Sequence, residues 1–486
     1  MRCSAAIGIL AAAATVQAGL AVKPKQQQQH DDLFDHHAAA KRDPGLLGAA
    51  TGLLGIDSAL KLIDDVTDPV LKLDILSRIQ PAKTPPTSPE QVQSIVRDAF
   101  GLLPPNLNKA AAKLIGAGLG ATNVASVVTG ALETGENNPN NVHNPDPPRT
   151  NTTSSNNGIY PSADPRDAPY SLPEAQLRAA LYIPESFTYG AKPPVIFVPG
   201  TGSYGGSAFA PNLRKLLTNV SYADPIWLNV PHAMLGDAQQ NAEYVAYAIH
   251  YVSALAGSRR DVSLITWSQG GMGSQWALTF WPSTRAKVAN LLAVAADFRG
   301  TTVADLLCAS VAGVPGLLCD PATKQQAYDS RFVQALRRHG GGSAWVPTTS
   351  LYSGFLDEMV QPQQGESASA HLGDERAVGV ANVEVQKVCG VGTAGAGFYE
   401  YAGILMHALT HALVVDALTH TGPGEASRID LQAVCSHIAA PGLDLADVVA
   451  TEALMVTGVA LFLLGYPEKV TEEPALFPYA VAAPPS

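Results

Sequence analysis

Between residues 168 and 486 short apolar runs alternate with helical patterns, and that alternation leaves few architectures open. The runs lie at 195–198, 226–230, 262–266, 291–295 and 349–352. Segments so short and so continuously apolar read as strands covered on both faces. Strands alternating with helices predict an α/β class, a mostly parallel, doubly wound sheet. Ser171-x-x-Glu174 predicts a helix start just ahead of the first strand.

The part before residue 168 divides by composition. Residues 1–18 carry Arg2, then an apolar run, then Val16-Gln17-Ala18, the layout of a signal peptide. The apolar run is too short for a transmembrane anchor. Residues 19–42 are low-complexity, with Gln26 to Gln29, scattered His and Asp, and a closing Lys41-Arg42, and they read as a propeptide. Their histidines have no fixed spacing, so no metal site is expected. Residues 43–134 form an Ala- and Leu-rich helical N-terminal segment. Within it Ser88-Pro89-Glu90-Gln91 supplies an N-cap, a proline at the first helical position and a Gln at the third. Residues 135–167 are rich in Asn, Pro, Ser and Asp and read as a disordered linker.

Charge and cysteine usage narrow the setting. The 42 acidic side chains exceed the 31 basic ones, for a net charge of −11, and no basic stripe runs through the chain. Nucleic acid is therefore excluded as an expected partner. Of five cysteines, Cys3 leaves with the signal peptide. The other four allow three pairings, of which Cys308–Cys319 and Cys389–Cys435 are the simplest. Asn151 and Asn219 begin glycosylation sequons, usable only on a secretory route. The expectation is a secreted, extracellular protein. Residues 448–464 are strongly apolar but contain Glu452, so they read as a buried or cleft-lining helix with no stable membrane span.

Two glycine-rich turns follow strands. Pro199-Gly200-Thr201-Gly202-Ser203-Tyr204-Gly205 contains a G-x-G-x-x-G, but a dinucleotide site needs an acid at the end of the next strand. Asp224 has the right distance and precedes that strand, so an oxyanion-binding loop with the Thr201 hydroxyl is the better reading. In the second turn, Ile265-Thr266-Trp267-Ser268-Gln269-Gly270-Gly271, a strand runs through small residues into a helix. Such a turn raises a serine hydroxyl at the sheet's carboxyl edge and aims the N–H groups from Gln269 onward at its substrate. Downstream, Asp357 follows the strand at 349–352, where a hydrolase of this order keeps the acid that orients its base.

These stretches, with Pro347 to Ser353, Asp357-Glu358-Met359-Val360-Gln361-Pro362-Gln363, Val388-Cys389-Gly390 and Phe477-Pro478-Tyr479-Ala480, resemble the fungal lipase B family of the α/β-hydrolases. The resemblance covers about residues 168–486 and leaves the N-terminal third outside. It implies a carboxylic ester hydrolase with Ser268 as nucleophile, Asp357 as orienting acid, and Thr201 and the Gln269 N–H as oxyanion hole. It also implies that Trp267 walls a pocket for the smaller substrate branch, that Asp297 stands near the nucleophile, and that the 448–464 helix lines the entrance. Cys389–Cys435 matches a family disulfide, whereas Cys308–Cys319 would lie in a lid particular to this chain.

One position departs from the family. Its catalytic histidine falls on Tyr401, in Glu400-Tyr401-Ala402-Gly403. A phenol, with an ordinary pKa of about 10, does not shuttle a proton at neutral pH as imidazole does. His407, six residues on, is the substitute expected if the first helical turn unwinds. The expected function is a secreted serine esterase or lipase, acting on carboxylic esters such as acylglycerols through an acyl-enzyme on Ser268. It is expected to be a monomer with no cofactor or metal. The alternative is a catalytically weak hydrolase-fold protein that binds apolar ligands.

Overall fold

A computed structural model of the chain describes residues 53–101, 106–120, 159–257, 261–312, 319–354, 356–464 and 466–482. The expected signal peptide, propeptide and most of the linker, with Asn151, lie outside the described residues.

Seven strands form one sheet: β1 (Leu181–Tyr182), β2 (Pro194–Val198), β3 (Asp224–Leu228), β4 (Val262–Trp267), β5 (Val288–Val294), β6 (Thr348–Tyr352) and β7 (Val380–Glu384). Their spatial order is β1-β3-β2-β4-β5-β6-β7, and only β1 is antiparallel to its neighbour. This is the expected doubly wound sheet. The third strand lies slightly earlier than its apolar run, because Asp224 joins the ladder opposite Pro194. β1 and β7, short or half-polar, were not legible as strands. Ser171 does not cap the following helix: Glu174–Ala179 starts behind Pro173 without a side-chain cap.

Alternate residues of each strand enter different cores. Val195, Phe197, Ile265 and Trp267 pack on one face, Ile196, Val198, Val262 and Leu264 on the other. Burial on both faces is why these strands read as unbroken apolar runs. The long helix α5 (Ala238–Leu255) covers the second face and packs on α6 (Gln269–Phe280), the helix after Ser268.

The first face is covered partly by the N-terminal segment. It forms α1 (Ile56–Asp65), α2 (Pro69–Ser77), α3 (Pro89–Phe100) and α4 (Leu107–Gly116). Ser88 caps α3, its hydroxyl accepting from the Gln91 N–H at 3.4 Å while the Gln91 side chain reaches back to the Thr87 N–H at 2.8 Å. Val92, Val96, Ala99 and Phe100 then bury one stripe. That stripe belongs to the same core as Val195, Phe197 and Trp267, so the segment is an integral wall of the fold.

The segment leans on the apolar stretch near the C-terminus, which forms two helices, α9 (Leu445–Glu452) and α10 (Leu454–Leu464). Their composition would suffice to cross a membrane, yet most of their residues are buried inside the protein. α10 packs on α2 and α4, and α9 packs on α3. α7 (Ala304–Ala312) lies over α4 and α10 and is tied back through Cys308–Cys319, with Cα atoms 5.2 Å apart. Cys389–Cys435 joins the end of β7's loop to a later turn.

Candidate active site

Ser268 sits at the turn between β4 and α6 with φ 53° and ψ −127°, a backbone state that costs about 1–3 kcal/mol for a residue with a side chain. Its N–H donates to the Val294 carbonyl at the end of β5. The turn is this tight because Gly270 follows: a Cβ there would stand 2.4 Å from the Val198 carbonyl oxygen. β2 and β4 therefore end side by side, and the loop after β2 passes directly over Ser268. A Cβ on Gly200 would meet the Ser268 Cβ at 2.9 Å and the Tyr401 hydroxyl at 3.1 Å.

Thr201 and Gln269 meet through their side chains. The Gln269 amide donates to the Thr201 hydroxyl at 2.7 Å and is itself held by Asn241, which donates to its Oε1 at 2.8 Å. Thr201 in turn donates to Gln326 at 2.9 Å. Its proton thus lies toward Gln326 in the resting site and would have to turn to meet a developing oxyanion. The Gln269 N–H, at the first position of α6, has no intrahelical partner and carries the positive end of the helix dipole.

Asp357 lies just beyond β6, wholly buried. One carboxylate oxygen accepts from the Met359 and Val360 N–H groups at 2.9 and 2.8 Å, and the other from the Gln363 amide at 3.4 Å. Burial pushes its carboxyl up to about 7, against those hydrogen bonds and with a further push from the charge of Glu400. Asp297, after β5, is also fully buried and raised to about 7 by burial. Neither of its oxygens meets another residue as a hydrogen-bond partner.

Tyr401 occupies the space between these groups. Its hydroxyl is hydrogen-bonded to Ser268, and burial drives its pKa well above 10, with Asp297, Asp357 and Glu358 adding to the rise. The Trp267 ring lies 4.6 Å from the Tyr401 ring and its N–H donates to the Tyr401 carbonyl at 3.1 Å. Trp267 therefore packs on the phenol.

His407 is not brought to Ser268, although the helix does break ahead of it. Residues 403–406 form a short 3-10 turn, and His407 caps α8 (Ala408–Thr419). Its Nδ1 accepts from the Leu409 N–H and its Nε2 bonds the Gly395 carbonyl, both at 2.9 Å. Burial lowers its pKa to about 4, and both ring nitrogens are held by backbone groups, one of them as the helix cap. Phe462 of α10 lies 3.2 Å from the Cβ position of Gly202, in the loop that passes over Ser268, and Ser268 is 3% exposed.

Strand order, the positive-φ serine turn after β4 and the acid after β6 define an α/β-hydrolase. No family model matches the chain. It is 36% identical to lipase B of Pseudozyma antarctica over 317 residues, 65% of this chain and 86% of that protein. The crystal structure of Aspergillus fumigatus lipase B superposes with a TM-score of 0.75 at 40% identity, covering 87% of this chain and 94% of that one. The chain belongs to the lipase B family, whose members are carboxylic ester hydrolases. The 87% of this chain that is matched is more than residues 168–486 can supply. The likeness therefore extends into the N-terminal third, which the motifs alone had left outside.

Proposed function

We propose that this chain acts on carboxylic esters, lipids among them, through an acyl-enzyme on Ser268. The strained turn that presents Ser268 beside Thr201 and Gln269 carries this reading, because such strain persists where function needs it. Asp357 keeps the position of the orienting acid, with no imidazole between it and the serine. The Tyr401 phenol fills that position without a usable pKa, so turnover rests on the oxyanion hole and binding. Such remnants keep about 10³–10⁴-fold over the uncatalysed reaction. The same phenol favours a second reading, a hydrolase fold that binds apolar ligands without efficient turnover.

Two disulfides and the exposed Asn219 turn support an oxidising, extracellular setting. A signal peptide at 1–18, a propeptide at 19–42 and a monomeric, cofactor-free enzyme complete the proposal. The test is a chromogenic short-chain ester together with a phosphonate probe. Labelling and turnover by the parent, both lost in Ser268→Ala, support the acyl-enzyme. Equal labelling of the two proteins removes it. Labelling without turnover favours the binding reading.

A further inference from the structure

Three buried carboxyl groups from separate elements converge beside Tyr401. Glu358 follows β6, Glu400 precedes the 3-10 turn at 403–406, and Glu452 ends α9; they are 1%, 1% and 3% exposed. Glu358 accepts from the Tyr401 N–H at 3.1 Å. Glu400 accepts from the Ala402 N–H at 2.7 Å and from the Gly403 N–H at 2.7 and 3.0 Å. Glu452 reaches the same stretch of backbone from the end of α9. A Cβ on Gly403 would stand 3.0 Å from one Glu452 oxygen and 3.4 Å from a Glu400 oxygen, and the two carboxyl groups are hydrogen-bonded to each other. The second Glu452 oxygen has no partner.

Two carboxyl groups in contact away from water require a proton between them. The donors decide which group holds it. Glu400 collects backbone N–H bonds that favour its charged form, whereas Glu452 has only Glu400 to bond. We propose that Glu452 is a positioning residue, a neutral carboxylic acid that donates to Glu400 and clamps α9 and α10 to the loop carrying Tyr401. Burial, then the charges of Glu400 and Glu358, hold the Glu452 pKa well above the carboxylate range.

The groups facing Glu452 leave it no other source of charge balance among the described residues. α10 has no ionisable side chain, and on α3 Glu90, Arg97 and Asp98 are exposed. Along α9, Asp447 and Asp444 pair with Lys215. His407 is spent on Gly395 and Leu409, and the nearby Tyr399 hydroxyl donates to the Ile438 carbonyl. Loss of the Glu452 proton sets two like charges in contact and loosens the entrance helices from the loop.

That this clamp governs a catalytic site rests on the Ser268 reading; the clamp itself does not. The experiment compares the full chain with Glu452→Gln, whose amide donates to Glu400 at every pH. Tm and the rate of phosphonate labelling of Ser268 are measured from pH 5 to pH 9. The two proteins should coincide at low pH. As pH rises above the ordinary carboxylate value of about 4, the parent should melt progressively lower than the variant, and its labelling should quicken once Glu452 itself ionises, while the variant shows neither change. Glu452→Met, which fills the space without a donor, should melt lower throughout and also lack both changes, so the result stands if the Gln variant folds poorly. Tm curves of parent and variants that run parallel across the range overturn the clamp. Diverging Tm curves without any labelling would retain the clamp and remove the Ser268 reading.

Discussion

The Tyr401 hydroxyl is hydrogen-bonded to the Ser268 side chain. Its charged form is opposed by burial and by three carboxyl groups, so it is neutral at any pH the protein meets. A neutral phenol orients the serine and takes up no proton from it.

Tyr401→His should therefore restore the missing base. Positioned general bases contribute about 10²–10⁴-fold, and ester turnover should rise by at least the lower figure. The new activity should fall at acid pH as the imidazole protonates. Turnover unchanged in this variant would mean that proton transfer does not limit the reaction.

His407→Ala should act on stability and leave Ser268 alone. It removes the cap of α8 and strands the buried Gly395 carbonyl, a combined loss of about 2–4 kcal/mol. Denaturant unfolding should report that loss, while phosphonate labelling at a permissive temperature stays at the parental rate. Lost labelling in a folded variant would make His407 part of the chemistry after all.

Gly200→Ala tests the closeness of the oxyanion loop to the nucleophile. The added methyl would meet the Ser268 Cβ and the Tyr401 hydroxyl at 2.9 and 3.1 Å, below normal contact. The loop must shift, and displacement of an oxyanion donor costs about 10²–10³-fold. The variant should lose turnover by that order while retaining Trp fluorescence and cooperative melting.

Much of this site was legible in order and little of it in partnership. The strands at 195–198 and 262–266 announced themselves because both faces are buried, and the small residues after Ser268 announced the turn. β7 was hidden because it is only half covered, with Val380, Ala381 and Asn382 partly exposed. The cluster of Glu358, Glu400 and Glu452 was hidden because three distant segments supply it, although Glu452 already stood out as an acid in an apolar run. For His407, proximity to Tyr401 in sequence misled, since a helix cap was the stronger local demand on its ring.

Stability should fall as pH rises above about 6.5. Asp297 and Asp357 are raised to about 7 and Asp320 to about 6, each chiefly by burial. A raised carboxyl binds its proton more tightly in the folded state, so its contribution is full below the unfolded value of about 4 and is lost through the folded value. His250 and His407, lowered to about 4 by burial, act oppositely: their contribution is full above about 6.5 and is lost as pH falls toward 4. The two sets offset each other between about pH 4 and 6.5, and above that window the carboxyls act unopposed. Glu358 and Glu452, raised further by burial and by neighbouring acids, add to the loss, so Tm should decline gently in the acid range and further between pH 6.5 and about 7.5. A Tm that climbs across neutrality would contradict these burial shifts.

Removal of residues 1–120 should leave a protein that does not hold its fold. The segment's helices share one core with α10, whose Leu454, Met455, Val459, Leu461 and Phe462 are buried. Exposing one large apolar side chain fully costs about 1.5–3 kcal/mol, so uncovering two or three removes much of a typical stability of about 5–15 kcal/mol. The truncated chain should aggregate or bind a hydrophobic dye, and Gln or Lys replacements on the uncovered face of α10 should reduce both. A soluble, cooperatively melting truncation would show instead that α10 finds its cover within residues 168–486.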